Sequence, residues 1–382
     1  MDKNMRHKDG ISIDWCPINQ VSLLQEFIDA NWKRDHVLAR DADLLRWQHA
    51  YPGDSEKLSV LIAQDAGTWL GMLGVIQFGF CVNGERISGA WLTNWLSLPE
   101  PRSRGLGRQL LQEVLLGFTM VGVIGGNAVC QRILGALGFE IRDSITRWVR
   151  VINLTSLESL IAQGGSSNAP NLEKQSALRE ALKHPKSTNG SSTTLRIVDW
   201  SEDAAFRWDQ AWRDRFAIRI VGTWRDAEYL RWRYLGHPRF RYVLRFAEDS
   251  STGSLRGLLV YRIEAVRDSC EKVMRVVEFL CDEEAGILLG AALINEGEDA
   301  GVAFADFYCT SSKFAEPLEK NGFLQETLPT RLPELFQPLE FAPSALTAAL
   351  WVKPKVSADN SAFFRSDNLY FTRSDGDQDR PR

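Results

Sequence analysis

Arg102-Ser103-Arg104-Gly105-Leu106-Gly107-Arg108 decides how this chain is read, because it joins a strand-like run, Ala90 to Leu98, to a helix-like run, Leu106 to Phe118. Gly105 and Gly107 allow the positive φ and close backbone approach that other residues resist. The first N–H groups of a helix have no partner inside it and lie at its positive end, so a glycine-rich turn there cradles an anion. Arg102, Arg104 and Arg108 add charge that a pyrophosphate can neutralise. Leu106, Leu110, Leu111, Val114, Leu115 and Phe118 give the helix one apolar face. Two common phosphate loops are excluded, since no Gly-Lys-Ser/Thr follows the glycines and no third glycine stands at dinucleotide-fold spacing.

Outward from the loop, Val121 to Gly126 reads as a short buried strand, and Asn127 caps a helix that ends at Gly138-Phe139. With these landmarks in order, the chain resembles the GCN5-related N-acetyltransferases, whose coenzyme A pyrophosphate loop runs Gln/Arg-x-x-Gly-x-Gly/Ala between a strand and a helix. Arg102, Gly105 and Gly107 match that pattern, and Ser103 stands where the family often has glycine. The resemblance implies an α/β fold in which a mixed, mostly antiparallel sheet is flanked by helices. It implies acetyl-CoA or another acyl-CoA as cosubstrate, and an amine as acceptor. Its contacts would be Arg102, Ser103, Arg104, Gly105, Leu106, Gly107 and Arg108 on the pyrophosphate, and Asn127 on the pantetheine arm. Leu96, Ser97 and Leu98 would also contribute, since a central strand splaying from its neighbour over Trp95 to Leu98 offers an N–H to the thioester oxygen.

A chain of 382 residues is long enough for two domains with a core each. Its 45 basic and 49 acidic side chains give no general attraction to nucleic acid or membrane, so any anion site must be local. The six cysteines, at 16, 81, 130, 270, 281 and 309, show neither zinc spacing nor a disulfide framework; no metal is expected, and a reducing cytoplasm fits. Met1 to Gly10 is charged and is not a signal peptide, and the uncharged run Val114 to Cys130 is interrupted by glycines and falls short of a membrane span.

The sequence also repeats itself. Asp14-Trp15 recurs as Asp199-Trp200, and Asp41-Ala42-Asp43-Leu44-Leu45-Arg46-Trp47 recurs as Asp226-Ala227-Glu228-Tyr229-Leu230-Arg231-Trp232, both displaced by 185 positions (199 − 14 and 226 − 41). Gly138-Phe139 recurs as Gly322-Phe323. Two tandem acetyltransferase-fold domains are therefore expected, 1–162 and 193–382, joined by a Gly-, Ser- and Pro-containing linker, 163–192. In the second copy Asp282-Glu283-Glu284 replaces the arginines and Ser311 replaces Asn127, so that copy should keep the fold without the coenzyme site. The terminal Asp375-Gly376-Asp377-Gln378-Asp379-Arg380-Pro381 lacks the closing glutamate of a calcium loop and reads as a solvated tail, although Tyr370-Phe371 before it has the composition of a docked segment.

Acyl transfer to an amine requires a base for the amine, a donor to the oxyanion and an acid for the leaving thiolate. His49, two residues after the repeated Trp47, is the candidate base; the second copy has Tyr234 there. The family's leaving-group tyrosine falls at Leu134, which cannot donate a proton, so water or the Cys130 thiol must serve, or the thiolate leaves unprotonated. Leu-Arg-Trp segments and the acidic tail resemble acetyltransferase-fold proteins encoded with bacterial polysaccharide genes. That resemblance implies a nucleotide-linked amino sugar as acceptor. A small amine of the mycothiol-synthase kind, aminoacyl transfer of the Fem kind and a non-catalytic acyl-CoA sensor stay open as alternatives.

Overall fold

The structure, a computed structural model, describes residues 10–103, 105–142, 144–163, 194–326, 332–337, 339–340, 346–354 and 367–381. Strand-forming runs bounded by turns give two seven-stranded sheets. The first has the order β1 (Ser12–Pro17), β2 (Lys57–Asp65), β3 (Thr68–Gln77), β6 (Gly89–Ser97), β7 (Met120–Ile124), β19 (Ala348–Val352), β8 (Glu140–Arg142). The second has the order β10 (Leu195–Asp199), β12 (Val243–Asp249), β13 (Leu255–Ala265), β14 (Lys272–Cys281), β15 (Phe304–Cys309), β9 (Thr146–Val151), β16 (Leu324–Gln325). In each sheet only the fourth and fifth strands, β6–β7 and β14–β15, run parallel. The expected mixed, mostly antiparallel sheets are thus present twice, in matching order.

Helices cover both faces. On the first sheet, the helix Leu106–Gly117 buries Leu106, Leu110, Leu111 and Val114 against Leu73, Val75, Leu92 and Val121. The opposite face packs on Leu24, Ile28, Leu44 and Leu45 from the helices Val21–Asn31 and Ala42–Gln48. With both faces covered, β7 is buried throughout, as is β15 in the second sheet; continuous rather than alternating apolar runs follow from that position. The β2–β3 turn puts Ala66 at φ 47 and Gly67 at φ 84, the two left-handed residues that a tight hairpin needs.

The sixth place in each sheet is filled from the other half of the chain. β9 leaves the first half and pairs with β15, while β19 comes from the second half and inserts between β7 and β8. The helix Leu154–Gln163 follows β9 and packs Leu157 and Leu160 with Val273 and Phe304. Sheet membership therefore changes before residue 146, ahead of the boundary suggested by the repeat; of the expected linker, 163–192, all but Gln163, the end of that helix, lies outside the described residues. A further sheet ties the halves together in the order β20 (Leu369–Tyr370), β11 (Val221–Thr223), β4 (Phe80–Val82), β5 (Glu85–Ile87), and a small hairpin joins β17 (Leu335–Phe336) to β18 (Leu339–Glu340).

The repeated tryptophans meet. Trp47 and Trp232 stack with centroids 5.3 Å apart, the Trp47 indole donates to the Trp232 carbonyl at 3.0 Å, and the Trp232 indole donates to the Trp47 carbonyl at 3.3 Å. Equivalent residues contacting each other in both directions mark a local two-fold relation between the copies.

The expectation of a solvated tail is overturned. Tyr370, Phe371, Thr372, Asp375 and Asp379 are all buried, because charged partners far away in sequence receive them. Arg225 binds Asp375 at 2.7 Å, and Arg262 binds Asp379 at 2.8 Å. Each aspartate enters the interior with a guanidinium, which offsets the desolvation that had argued for a tail in water.

Candidate active site

The arginine-glycine loop follows β6 directly. Leu98 N–H bonds Leu70 O at 2.9 Å, and a helical turn, Pro99–Ser103, leads to Gly105. Gly105 has φ +80 and is the N-cap of the helix Leu106–Gly117; no side chain caps that end, so the first N–H groups keep their donors. A Cβ on residue 107 would lie 3.1 Å from Ser97 Oγ and 3.3 Å from the Trp95 indole nitrogen, so glycine permits the close approach of helix to strand. Arg102 is exposed and donates to Ser97 O at 2.7 Å, Arg108 is exposed, and Leu106 is anchored in the core. Arg104 lies outside the described residues, and of Ser103 only the helical backbone is described.

Across from this helix end, Asn127 accepts from Val129 N at 3.1 Å and Cys130 N at 2.9 Å, which makes it the N-cap of the helix Ala128–Ala136. Gly125 and Gly126 before it have φ 83 and 103, so the chain turns sharply off β7. Between the two helices lies a cavity of about 430 Å³ lined by Arg108, Val129, Arg132, Ile133, Ala136 and Leu137. Val129 and Ile133 are large apolar side chains left exposed on this face, next to two cations. The cavity therefore offers one apolar wall and two guanidinium groups beside an uncapped helix N-terminus.

The separation of the central strands begins earlier than expected and includes part of the expected stretch. β6 and β7 pair from Gly89–Met120 to Leu92–Val123 and no further, and the β3–β6 register slips between Leu73–Trp95 and Val75–Leu92. The splay thus opens at Thr93 and Asn94 and continues through Trp95, Leu96 and Ser97, which pair with β3 but not with β7. Leu96 is buried in the opposite core, Ser97 pairs with Gly71, and the Leu98 N–H is taken by Leu70. Thr93 Oγ1 and Asn94 Oδ1 are buried without a hydrogen-bond partner, an arrangement that is costly unless something enters the gap.

His49 does not stand as a free base. It is buried beside Gly74, its Nδ1 lies 3.1 Å from Val75 O and its Nε2 lies 3.0 Å from Gln48 Nε2. A carbonyl can only accept, so Nδ1 carries the proton and Nε2 receives the amide, which leaves no lone pair for an amine. Burial lowers its pKa to about 4. Leu134 is a core residue, and burial raises the Cys130 pKa, making that thiol a weaker acid than an ordinary one.

The tail supplies groups that the sequence reading missed. Gln378 Nε2 donates to Ile124 O, at the end of β7, at 2.9 Å and to Asp377 Oδ1 at 3.1 Å. A carboxylate and an amide thus sit at the end of the splayed strand. Thr93-Asn94 had a legible signal, two polar residues inside Ala90-Trp91-Leu92-Thr93-Asn94-Trp95-Leu96; the tail had none beyond its aromatic start.

The second half carries the same parts closed. Asp282 caps its own helix at Ala285 N, and Arg256 binds Asp282 at 2.7 Å and Glu284 at 3.0 Å. Its splay, beyond Val276–Phe307, contains Glu278, which receives Arg225, Tyr234 and Ser374. Tyr370 donates to Glu278 Oε2 at 2.9 Å and accepts from Phe279 N at 3.0 Å, so the backbone donor at the splay is already satisfied. Among the described residues, no cluster of three or more His, Cys, Asp or Glu is arranged to hold a metal, and no helix is long and apolar enough to cross a membrane.

No family model and no curated protein matches the sequence. Solved structures do match the fold. A GCN5-related N-acetyltransferase from Kribbella flavida aligns at a TM-score of 0.51 and 14% identity over 90% of this chain and 71% of its own. Saccharomyces cerevisiae N-myristoyltransferase with bound myristoyl-CoA aligns at 0.53 and 10% identity over 92% and 84%. A conserved protein from Enterococcus faecalis V583, described as a probable N-acyltransferase, aligns at 0.53 and 11% identity over 88% and 72%. With two matching mixed sheets, a central splay and these likenesses, the chain has the fold of the GCN5-related N-acetyltransferases.

Proposed function

We propose that this protein is an acyl-CoA-dependent N-acyltransferase, most simply an N-acetyltransferase, that binds one coenzyme A in its first half and transfers the acyl group to a small amine. The carrying observation is the cavity of about 430 Å³ between the uncapped, glycine-started helix and the exposed apolar face of the helix Ala128–Ala136, flanked by Arg108 and Arg132. Such a cavity suits a ligand with a pyrophosphate at one end and an uncharged arm along its length. In this reading Arg102 and the segment Ser103 to Arg108 hold the pyrophosphate, Asn127 offers its free amide to the arm, and the opened strand at Thr93-Asn94 receives the thioester. Solved neighbours named for N-acetyl transfer, and one with bound myristoyl-CoA, support the same chemistry.

With His49 engaged and neutral, Asp377, which Gln378 fixes at the end of β7 and which pairs with Arg380, is the carboxylate we assign to take the proton of the acceptor amine directly or by way of water. The thiolate takes its proton from water, since Leu134 has none to give. The nucleotide-linked amino sugar of a polysaccharide precursor, the cytoplasmic setting and the division into units 1–162 and 193–382 rest on the sequence reading. A non-catalytic acyl-CoA sensor is the second reading, favoured by the absent tyrosine.

The test is calorimetric titration with coenzyme A, followed by thiol release from acetyl-CoA over a panel of amines. One equivalent should bind. Gly105→Val should reduce affinity by about a hundredfold or more, because a β-branched residue resists φ +80 and displaces the loop backbone. Unchanged binding in a folded variant, or two equivalents, would sink the assignment; binding without turnover on any amine would favour the sensor.

A further inference from the structure

A second cavity, of about 290 Å³, lies where the tail passes between the halves, and Arg239, Arg262, Arg275, Arg373 and Arg380 all line it. Five guanidinium groups around one space need compensation, and it is unequal. Arg262 binds Asp379 at 2.8 Å and Glu264 at 2.7 Å; Arg239 is bidentate to Asp41; Arg380 pairs with Asp377. Asp41 and Glu264 are the carboxylates that line the cavity, and both are already engaged by these arginines.

Arg275 and Arg373 are different. They are 4% and 3% exposed. Arg373 pairs with Glu334 at 3.4 Å and lies over the Tyr308 ring, 5.1 Å from its centroid, while its Nε has no hydrogen-bond partner. Arg275 donates to Glu334 O at 2.7 Å, but its ion-pair contacts with Asp306 are 3.4 Å long and its Nε makes no hydrogen bond. Asp306 is held instead by Arg147, at 2.7 Å. Two buried guanidinium groups thus lie next to an open space with long ion-pair contacts; burial and the charge of Arg373 push the Arg275 pKa down, whereas Tyr308 and Glu334 outweigh burial and hold that of Arg373 up. Buried cations held only by such long pair contacts are costly, and an added anion would complete them.

We propose that this cavity is an oxyanion subsite for the acceptor, holding a carboxylate or phosphate group that Arg275 and Arg373 complete. The proposal rests on the acyl-transfer reading above and adds the acceptor's class: an amine that also carries an acid group. The placement is direct, because Gln378 lines this cavity and also touches Ile124 O at the end of the splayed strand. An acid group held here directs its amine along the tail toward Asp377 and the thioester. The volume, about 290 Å³, admits the acid group and a short carbon chain.

The experiment uses the full chain carrying Gly105→Val, so that the first loop is blocked, and titrates it with inorganic phosphate and with acetate. One anion should bind per chain, and Arg373→Gln should weaken it about tenfold, the loss of a charge-assisted hydrogen bond. Arg373→Lys should recover part of the loss, since an ammonium restores charge without the planar fork. If Arg373→Gln fails to fold by circular dichroism, Arg380→Gln on the cavity rim serves as the second variant. In the unmodified protein, phosphoethanolamine should be acylated at least tenfold better than ethanolamine, and β-alanine better than its amide. Those two pairs also separate phosphate from carboxylate. Phosphate affinity indifferent to both arginine variants, or equal rates on charged and uncharged amines, overturns the proposal. Failure of coenzyme A to bind would instead remove acyl transfer, while the anion titration still reads the cavity.

Discussion

The two halves of this chain have the same strands in the same order, yet among the described residues they differ in whether the helices beside the central splay leave a cavity between them. In the first half, the helices Leu106–Gly117 and Ala128–Ala136 stand on either side of a cavity. In the second, the matching helices Glu283–Ala300 and Ser312–Lys320 touch: a Cβ on Gly286 would lie 2.5 Å from Pro317, and one on Gly290 would lie 2.4 Å from the Asn321 amide. The cap follows the same division, with Gly105 bare and Asp282 already filled by its own carboxylate and Arg256. So does the splay, with Thr93 Oγ1 and Asn94 Oδ1 unpartnered but the Phe279 N–H answered by Tyr370. The difference is a handful of side chains on an unchanged frame. A fold of this type makes a site by leaving places unfilled, and loses it by packing them.

That comparison treats the halves as separable, and the strand exchange says that physically they are not. Expressed alone, residues 1–163 lack β19, which pairs with both β7 and β8, and expose β9, which belongs beside β15. Each fragment should therefore be aggregated or unfolded alone, because an opened sheet presents unpaired edges and loses the core beneath them. Co-expression of the two fragments should restore a folded complex. A soluble, cooperatively folded first fragment would break this account and make the exchange incidental.

The elements that were legible in sequence are those encoded locally. The loop was readable because glycine, arginine and a helix start lie within seven residues, and the duplication because Trp47 and Trp232 kept their neighbours. The exchange of β9 and β19 was not, since two sheets of equal pattern accept either strand and only the tertiary path chooses. Tail burial was hidden for a similar reason: Asp375 and Asp379 look solvated until Arg225 and Arg262, more than a hundred positions away, are brought to them. For His49 the residue type was visible but its engagement by Val75 and Gln48 was not. The splay includes the expected Trp95 to Ser97 but begins two residues before them, at an irregularity in β6 that the apolar run conceals.

If the second splay is a filled site and the first an open one, matching substitutions should have unequal costs. Glu278→Gln leaves Arg225, Tyr234 and Tyr370 around a neutral amide in a fully buried position, and should destabilise by about 3–5 kcal/mol. Asn94→Ala in the first splay removes an oxygen that has no partner, and should change stability by no more than about 1 kcal/mol. Urea unfolding of both variants measures the contrast. Equal losses would mean that the first splay is as tightly satisfied as the second.

The smallest predicted difference is also the one that pH can read. His49 and Tyr234 occupy equivalent places, 185 positions apart; Tyr234 donates to Glu278 at 2.7 Å, whereas His49 is held neutral against Val75 O. In the unfolded chain His49 titrates near its ordinary value of 6.5, and in the folded protein burial lowers this to about 4. Between those values the unfolded state binds the extra proton, so stability is full above about pH 6.5 and declines as pH falls toward about 4. The loss assigned to His49 is about 3 kcal/mol, from a shift of 6.5 to about 4. His36, lowered to about 4, and His237, lowered to about 3, add to the same limb, so the slope must be compared with that of His49→Gln. Paired carboxylates whose pKa is lowered, such as Asp306, contribute below this window and leave it readable. His49→Gln should flatten the acid limb by about one proton's worth while leaving the Tyr234 side unaffected. An acid limb identical in both proteins would mean that the imidazole reaches water, and would return His49 to the list of bases open to the acceptor amine.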